Sequence, residues 1–489
     1  MVFAGCSSDG SGPTFAAGRI DYVDGAVEPI LVRGERFVIE GFGFGAVRGS
    51  GAVRFPRIGG GTVDAPLADS NWSSFTITVT VPDSAAPGAG QLTVITAAGR
   101  PLSAPLHVLP RPAFKPAILT WLARAPFPRA PAGIALAAGE FLEGSTLRVT
   151  LYAAGGAEPF SSAGQLQMAP DSGVYVARAV AGGAGTIEAW TRQRDTTDAS
   201  RSHVLPAPRA FAAAVVATPH NSRLVGSALY VIGGIDAAGR PQASVLGADV
   251  TADSVSRRFI FLEPLPAPVA GAIAVVRRGR IYVMGGTDAQ GHPRRNVYVG
   301  RIGADGHIDG WYPQPLLPGP RAYGGGVARD GRVVAIGGVG GADSVPPGGG
   351  FAAGTQRLVT GDTAAVSLLS GFFTGAWGAG PDLLPEGRSQ FALLDLGTTL
   401  LVVGGMYAGA PTNSAETLAA SVSGDSVGMF AGPVGSNRIA DELCLAQPAG
   451  TLIGPSGATW REASGTPRGL VVGGIDLGTQ TRRGCAWGF

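Results

Sequence analysis

The chain has 489 residues, too many for one ordinary hydrophobic core, so its length predicts several domains or a large repeat fold. Its 78 glycines and 37 prolines, with 15% charged residues, are typical of short apolar strands joined by tight turns and favour an all-β fold. A formal net charge of +2, without a long run of either sign, excludes the basic surface of a nucleic-acid binder.

The first residues of the chain place small side chains before Cys6 and a polar, glycine-containing stretch after it. This pattern resembles a bacterial lipobox, whose cysteine becomes the lipid-bearing N-terminus after cleavage. The resemblance implies a lipid anchor at Cys6 and a location outside the cytoplasm, at the bacterial outer membrane or cell surface. The basic and apolar segments of such a signal are missing upstream, so we expect that the true start precedes Met1. The alternative is an ordinary cysteine in a frayed terminus.

Two cysteines, Cys444 and Cys485, are left as a pair if Cys6 carries the lipid. An even remainder is consistent with export to an oxidising compartment. The repeat assignment below separates the two cysteines by one strand, and two strand spacings of about 4.8 Å exceed the usual Cα separation of a disulfide. A disulfide between them therefore requires that both lie at bent strand ends.

Residues 18–110 contain short strands separated by turn residues. The strand pattern covers 37–40, 52–55, 75–81, 91–96 and 106–108. Within 75–81, strict alternation places apolar and threonine side chains on opposite faces, as in a half-solvated antiparallel strand. The predicted apolar face consists of Phe75, Ile77, Val79 and Val81. We therefore expect a small β-sandwich over this segment.

The order of motifs in the same segment resembles the TIG (IPT) family of immunoglobulin-like domains. The motifs are a G-x-G-F-G turn at 41–45, a V-x-F strand at 53–55, Trp72, and a Thr/Val strand that ends in Val-Pro at 76–82. Members of that family usually serve as spacers or protein-contact modules in surface proteins. The resemblance implies that residues 18–110 serve display rather than chemistry.

An apolar strand that ends in Gly-Gly recurs six times after residue 110. The second glycines of these doublets are Gly156, Gly234, Gly286, Gly338, Gly405 and Gly474. Their spacings of 52 to 78 residues match one β-propeller blade with loop insertions. A second strand pair with an aromatic end follows most doublets, and then a Leu-Pro turn and an arginine. This order resembles the kelch repeat and implies a kelch-type β-propeller over residues 111–489.

The two ends of the repeat region complement each other. The sixth repeat ends after its third strand, near Cys485, and an unpaired strand at 117–121 precedes the first repeat. Pairing these segments would close the array and cover edges that otherwise promote aggregation. We predict an all-β chain: an immunoglobulin-like sandwich followed by a six-bladed propeller whose last blade is closed by the N-terminal strand.

Catalytic and metal-binding motifs are missing from the sequence. A copper site like that of the galactose-oxidase group needs two histidines with tyrosine ligands, whereas the five histidines, at 107, 203, 220, 292 and 307, show no ligand spacing. There is no sialidase-type Asp box, no G-x-S-x-G elbow, no phosphate loop and no zinc motif. We therefore expect no enzymatic activity, no cofactor and no metal.

An arginine follows the Pro-rich turn in five of the six repeats, with Val269 at the remaining position. The five, termed the arginine ring, are Arg129, Arg209, Arg321, Arg388 and Arg438. In one interpretation they surround a channel mouth and bind an anionic sugar or a carboxylate through charge-assisted hydrogen bonds. The other, which we favour, is a structural role. Their partners would then be carbonyl groups of a neighbouring blade, or an aspartate such as Asp236, Asp288 or Asp476.

We expect a non-enzymatic surface protein that binds, adheres or serves as a scaffold. Its ligand would be a glycan or a protein, contacted by loops on one propeller face. The candidate loops are 235–244, 287–295, 339–355 and 406–413. Membrane contact is expected only through the lipid anchor, because no apolar stretch reaches the roughly 20 residues of a spanning helix. The alternatives are a propeller hydrolase or lyase acting on extracellular polysaccharide, and a subunit of a self-assembling surface structure.

Overall fold

The structure, a computed structural model, describes residues 18–129, 131–162, 165–193, 203–218, 226–329, 332–340, 363–369, 372–373, 377–379, 384–385, 387–407, 416–423, 426–435, 452–475 and 484–489. These residues divide into two compact units between Val108 and Leu109. Both units are built from strands, and the helical segments described are two 3-10 turns, Asp69–Asn71 and Pro116–Ile118. The fold is all-β, as the composition predicts. Within the described ranges, no helix is long and apolar enough to cross a membrane.

The first unit contains two sheets that share one core. A three-stranded antiparallel sheet has the order Arg19–Val23, Arg36–Phe42 and Thr76–Thr80. A five-stranded sheet has the order Ile30–Val32, Pro101–Leu109, Gly88–Ile95, Ala52–Pro56 and Thr62–Asp64. Phe37 of the first sheet and Phe55 of the second pack edge to face, with ring centroids 5.9 Å apart. Apolar side chains from both sheets therefore form one buried cluster.

The strand Thr76–Thr80 buries Ile77 and Val79, as the alternation predicts. The prediction was wrong for Phe75, which is 66% exposed. Ser73 forms a turn just before the strand, where its hydroxyl accepts the backbone N–H of Phe75 at 3.3 Å and that of the next residue at 2.9 Å. Because this turn holds Phe75 outside the pleated strand, the period-two alternation does not extend to it.

The described residues of the second unit form six antiparallel sheets of four or more strands, numbered here by their Gly-Gly doublets. Sheet I has Ala135–Glu143, Thr146–Ala154, Val174–Arg178 and Thr191–Arg192; sheet II has Ala213–Ala217, Ala228–Ile232, Val245–Asp249 and Ile260–Phe261; sheet III has Ile273–Arg277, Arg280–Met284, Val297–Ile302 and Ile308–Gln314. Sheet IV has Gly325–Arg329, Arg332–Ile336, Thr363–Leu369 and Phe372–Phe373, with Gly378–Ala379 also on its third strand. Sheet V has Ala392–Asp395, Thr399–Val403, Thr417–Ser423 and Ser426–Val427. Sheet VI has Ser456–Arg461, Pro467–Val472, Ala486–Gly488 and Leu122–Ala123.

Two smaller antiparallel pairs accompany these sheets. Ala157–Ser162 pairs with Gln165–Pro170 directly after the doublet of sheet I. Arg388–Ser389 pairs with Met406–Tyr407, which brings the segment before sheet V against the segment after its doublet. In both pairs, one of the two strands directly follows the Gly-Gly doublet of a larger sheet.

Each Gly-Gly doublet follows the second strand of its sheet and links it to another sheet. Both glycines of every doublet have φ between +57° and +101°, a conformation that other residues rarely adopt. The N–H of the second glycine donates to a carbonyl oxygen just before the first strand of the next sheet, over 2.7 to 3.2 Å, and the doublet of sheet VI donates to sheet I. The six accepting residues, termed the acceptor positions, are Pro131, Arg209, Val269, Arg321, Arg388 and Leu452.

A second set of backbone hydrogen bonds joins the six sheets in a closed cycle. These bonds join the residues that lie two positions after each acceptor position, and their N···O distances are 2.7 to 3.0 Å. Each of these six residues has φ between +52° and +68°. Each N–H donates to the preceding member, and Gly133 donates to Gly454; the members are Gly133, Phe211, Gly271, Tyr323, Gln390 and Gly454. The first strands of successive sheets also contact each other, and that of sheet VI contacts that of sheet I.

Sheet VI takes its outermost strand from the beginning of the second unit. Leu122–Ala123 pairs antiparallel with Ala486–Gly488, and Ala123 lies opposite Trp487. The outermost strand of this sheet therefore comes from the start of the unit and its other three strands come from the end.

The predicted position of this closing strand, 117–121, was wrong. Pro116 begins a 3-10 turn there, because proline has a fixed φ and no N–H to donate to a sheet. Trp121, which we expected at the end of the strand, is completely buried. Its Nε1 donates to Oγ1 of Thr417 in sheet V at 2.9 Å, so the tryptophan anchors the segment just before the strand.

Candidate functional site

Arginine occupies three of the six acceptor positions, at Arg209, Arg321 and Arg388. The predicted equivalence of Arg129 was wrong, because Pro131 accepts the hydrogen bond from the doublet of sheet VI. In this repeat the Pro-Arg motif is therefore shifted by two residues against the backbone register. Arg438 lies outside the described residues, and Leu452 holds the acceptor position of sheet VI.

Arg321 and Arg388 are buried in their own sheets. Nη1 of Arg321 donates to the carbonyl oxygen of Gly337 at 2.5 Å, and Nη1 of Arg388 donates to that of Gly404 at 3.2 Å. Each guanidinium thus binds the first glycine of its own doublet. Nη2 of Arg388 also pairs with Oε1 of Glu416 at 2.5 Å. With 0% and 1% of their surfaces exposed, these arginines support the doublets and are not accessible to a ligand.

Arg209 and Arg129 have other partners. Nη2 of the buried Arg209 donates to Oγ of Ser244 at 2.6 Å. Arg129 is partly exposed between two carboxylates, with Nε 2.9 Å from Glu158 and Nη1 3.0 Å from Asp171. The hydrogen bond to Glu158 and the charge of Asp171 raise the pKa of Arg129. The structure therefore does not bring these four arginines to a common opening.

Apolar side chains fill the region beside the closed cycle. The residue after each acceptor position lies against the residue after a doublet, as Ala210 does with Ile235 and Ala322 with Val339. Their buried cluster contains Ala132, Ala157, Ala210, Phe211, Ile235, Ala270, Ala322, Tyr323, Val339, Met406, Ile453 and Ile475. Burial raises the pKa of Tyr323 to about 12. One interpretation of the arginine ring was a channel mouth lined by arginine side chains. The residues next to the acceptor positions instead form a packed apolar cluster.

A cavity of about 380 Å³ opens at Val269, the acceptor position of sheet III. It is lined by Ala267, Pro268, Val269, Asp288, Ala289, Gln290, Arg294, Asn296 and Tyr298. Oδ1 of Asp288 accepts the backbone N–H groups of Gln290 and His292 at 2.9 and 2.8 Å, and Oδ2 forms an ion pair with Arg294. Four of these lining residues lie in the predicted contact loop 287–295. Neither Arg294 nor Asn296 was singled out from the sequence, although valine at position 269, where sheets II, IV and V have arginine, was a signal for them.

Two larger cavities lie at the ends of the sheets away from the doublets. One of about 450 Å³ includes Tyr230, Asp249, Arg257 and the hairpin around Asp305. The hydroxyl of Tyr230 donates to the carbonyl of Gly306 at 2.8 Å, which ties sheet II to sheet III. Another, of about 410 Å³, is lined by five charged residues, Arg148, Arg178, Glu188, Arg461 and Glu462, along with apolar ones. The ion pairs Arg178–Glu188 and Asp249–Arg257 use much of this charge within the protein.

Histidine and cysteine residues do not assemble in the described part of the chain. No group of three or more His, Cys, Asp or Glu there is arranged to hold a metal ion. Cys485 is buried and disulfide-bonded. Cys6, Cys444 and His220 lie outside the described residues, so the Cys444–Cys485 pairing and the lipid anchor stay predictions.

Tryptophan side chains join neighbouring sheets. Nε1 of Trp311 in sheet III donates to the carbonyl of Glu263, and Nε1 of Trp377 beside sheet IV donates to that of Pro315, both at 2.9 Å. Trp190 packs edge to face on Phe127, with centroids 5.1 Å apart. These indole groups are engaged in packing between sheets.

Comparisons with known proteins do not identify a family. No family model matches the chain, and no curated protein matches it. A solved structure described as the structure of YjhT is similar to 63% of this chain and 99% of its own, at 14% identity and a TM-score of 0.40. A likeness at this level supports no statement on function.

Proposed function

We propose that the chain is an exported binding protein, with an immunoglobulin-like IPT/TIG module before a six-bladed kelch-type propeller. The observation that carries the propeller is the closed cycle of six backbone hydrogen bonds from Gly133 to Gly454 and back. A cyclic bond pattern with six repeats suits six sheets arranged about an axis. The outermost strand Leu122–Ala123 in sheet VI also fits the closure of a propeller by both chain ends.

The immunoglobulin-like assignment of the first unit is supported by its two sheets and common core. Trp72 is buried in that core, and its Nε1 donates to the carbonyl of Gly45 at 3.0 Å, which joins two of the family-like motifs. Phe44 packs edge to face on the same indole, with centroids 6.3 Å apart. The order of turn, strand and tryptophan on which the resemblance rests thus corresponds to one packed corner of this unit.

Binding rather than catalysis is the function that the loops support best. The loop after the doublet of sheet II is held by Asp236, whose Oδ1 accepts the N–H groups of Ala238 and Arg240 at 2.8 and 3.0 Å. Asp288 holds the loop of sheet III in the same way. Loops that a scaffold fixes in this manner suit recognition of a glycan or protein partner.

A paired screen tests the proposal. The soluble chain, labelled and without residues 1–17, is applied to a glycan array and to an array of extracellular proteins, with the chain heat-unfolded as a control. Specific binding on either array is expected, and binding on neither would contradict it. Release of products from a polysaccharide would favour a hydrolase or lyase instead.

The lipid anchor is tested by metabolic labelling with a fatty-acid analogue. A full-length precursor is expected to incorporate the analogue, and the Cys6→Ala variant is expected not to.

A further inference from the structure

The cavity at Val269 occupies the place where other sheets hold an arginine side chain. The side-chain stems of Arg321 and Arg388 lie over the second glycines of their doublets, and Val269 lies over Gly286 in the same way. A valine ends at its methyl groups, so the volume of a guanidinium is not filled. Polar groups that would otherwise surround the repeat's own cation therefore line an accessible cavity.

Sheet II shows the filled version of this arrangement. There Arg209 donates to Ser244 at 2.6 Å, and Gln242 donates to Oδ2 of Asp236 at 2.9 Å. In sheet III, the corresponding residues are Val269 for Arg209, Asn296 for Ser244, Arg294 for Gln242 and Asp288 for Asp236. Sheet II therefore has its arginine at the buried acceptor position, whereas sheet III has one in the loop, Arg294, whose side chain is 51% exposed.

The cavity offers a prearranged set of donors and acceptors. Asp288 is held by two backbone N–H groups and in turn holds Arg294, and one ion pair leaves other edges of a five-donor guanidinium for a ligand. The amides of Gln290 and Asn296 supply both donors and acceptors, as hydroxyl groups require. Pro268 and Val269 add apolar surface suited to the C–H face of a sugar ring.

We propose that this cavity binds a saccharide that carries a carboxylate, with the carboxylate on Arg294 and the hydroxyl groups on Gln290 and Asn296. Its volume of about 380 Å³ lies at the small end of ligand cavities, which suits one sugar residue, free or at the end of a chain. This inference rests on the proposed binding function and assigns its ligand class and site. Arg294 then does more than balance the charge of Asp288.

The test compares glucuronate- and galacturonate-terminated saccharides with their glucose and galactose counterparts on one array. The wild type is expected to prefer the carboxylated members. Arg294→Gln should weaken that binding by about tenfold or more, the effect of losing a charge-assisted hydrogen bond. Val269→Arg introduces the residue found at the acceptor positions of sheets II, IV and V. This variant should have the melting temperature of the wild type, and it should abolish binding because the arginine side chain fills the cavity. Arg240→Gln is the matched control, because Arg240 pairs with Asp236 at 3.3 Å but does not line this cavity.

The outcomes separate the site from the function. If both cavity variants bind the carboxylated saccharides like the wild type, the site is wrong while binding stands. Equal binding of neutral and carboxylated members overturns the ligand class, as does binding of no saccharide. The proposed function itself fails only if the wild type binds nothing on the protein array as well.

Discussion

Trp487, two residues before the last residue Phe489, lies opposite Ala123 in an antiparallel strand pair. Its side chain is 1% exposed, and it shares a buried cluster with Trp121 and Phe489. The last sheet of the second unit is therefore completed by residues separated from it by more than 300 positions in sequence. We therefore expect both ends of the unit to contribute to its stability.

Removal of the Trp121 side chain is expected to destabilise the second unit strongly. Trp121 is completely buried against Phe489 and donates to Thr417, so Trp121→Ala should lower the free energy of unfolding by about 3–5 kcal/mol. The neighbouring Leu122 is 44% exposed, and Leu122→Ala should cost about 0.5 kcal/mol or less. Urea unfolding measures both changes. Equal effects of the two variants would rule out Trp121 as the anchor.

The pair Arg388–Glu416 is expected to show strong energetic coupling. Arg388→Met removes the partner of Glu416 and leaves the carbonyl of Gly404 without this donor, which should cost about 3 kcal/mol or more. Adding Glu416→Gln should recover part of that loss, because a neutral amide then replaces the carboxylate that has lost this partner. A double-mutant cycle by chemical unfolding gives the coupling. Strictly additive effects would show that the pair contributes nothing to stability.

Two glycines with nearly the same φ separate backbone strain from crowding. Gly285 of a doublet has φ +62° and Gly144 of a hairpin has φ +63°. A Cβ on Gly144 meets nothing within 4 Å, whereas one on Gly285 would collide with the carbonyl oxygen of Arg321. Gly144→Ala should cost about 1–2 kcal/mol from the left-handed conformation alone. Gly285→Ala should cost about 1–3 kcal/mol more because the contact is overpacked; similar melting temperatures for the two variants would contradict this role of the doublets.

Burial of His107 should make the stability of the chain depend on pH. Burial lowers the pKa of His107 below 6.5 in the folded state, so the unfolded state takes up a proton first as the pH falls. The contribution of neutral, buried His107 to the free energy of unfolding is fully present above pH 6.5. It is lost as the pH falls from 6.5 toward the lower pKa of the folded state. His107→Gln should therefore show a smaller drop in its urea midpoint between pH 7.5 and pH 5.5 than the wild type. An identical pH dependence in the variant would assign the effect to other groups.

Local patterns predicted the strands well. The alternation at Ile77 and Val79 and the apolar strands before each doublet depend on side chains a few positions apart, and the structure places them as strands. Errors arose where a neighbour outside the pattern decided the backbone. Ser73 turned Phe75 outward, and Pro116 displaced the closing strand.

The candidate site was harder to predict. The arginine motif suggested one equivalent set, but hydrogen bonds from distant doublets assign Pro131 rather than Arg129 to the first sheet. Sequence spacing cannot show which carbonyl accepts a bond from another sheet. It also gives no indication that Arg321 is buried and Arg294 half-exposed, although both residues follow a proline closely.

The sequence by itself determined that the chain is all-β and that a glycine doublet recurs six times, because turn chemistry and strand periodicity act between near neighbours. Only the tertiary structure decided which arginines are buried against the doublets and where a cavity remains. Those properties depend on the volume and hydrogen bonds supplied by segments far apart in the chain. Val269 illustrates the difference. Its short side chain is evident in the sequence, but a cavity beside it exists only because residues 288–298 fold against it.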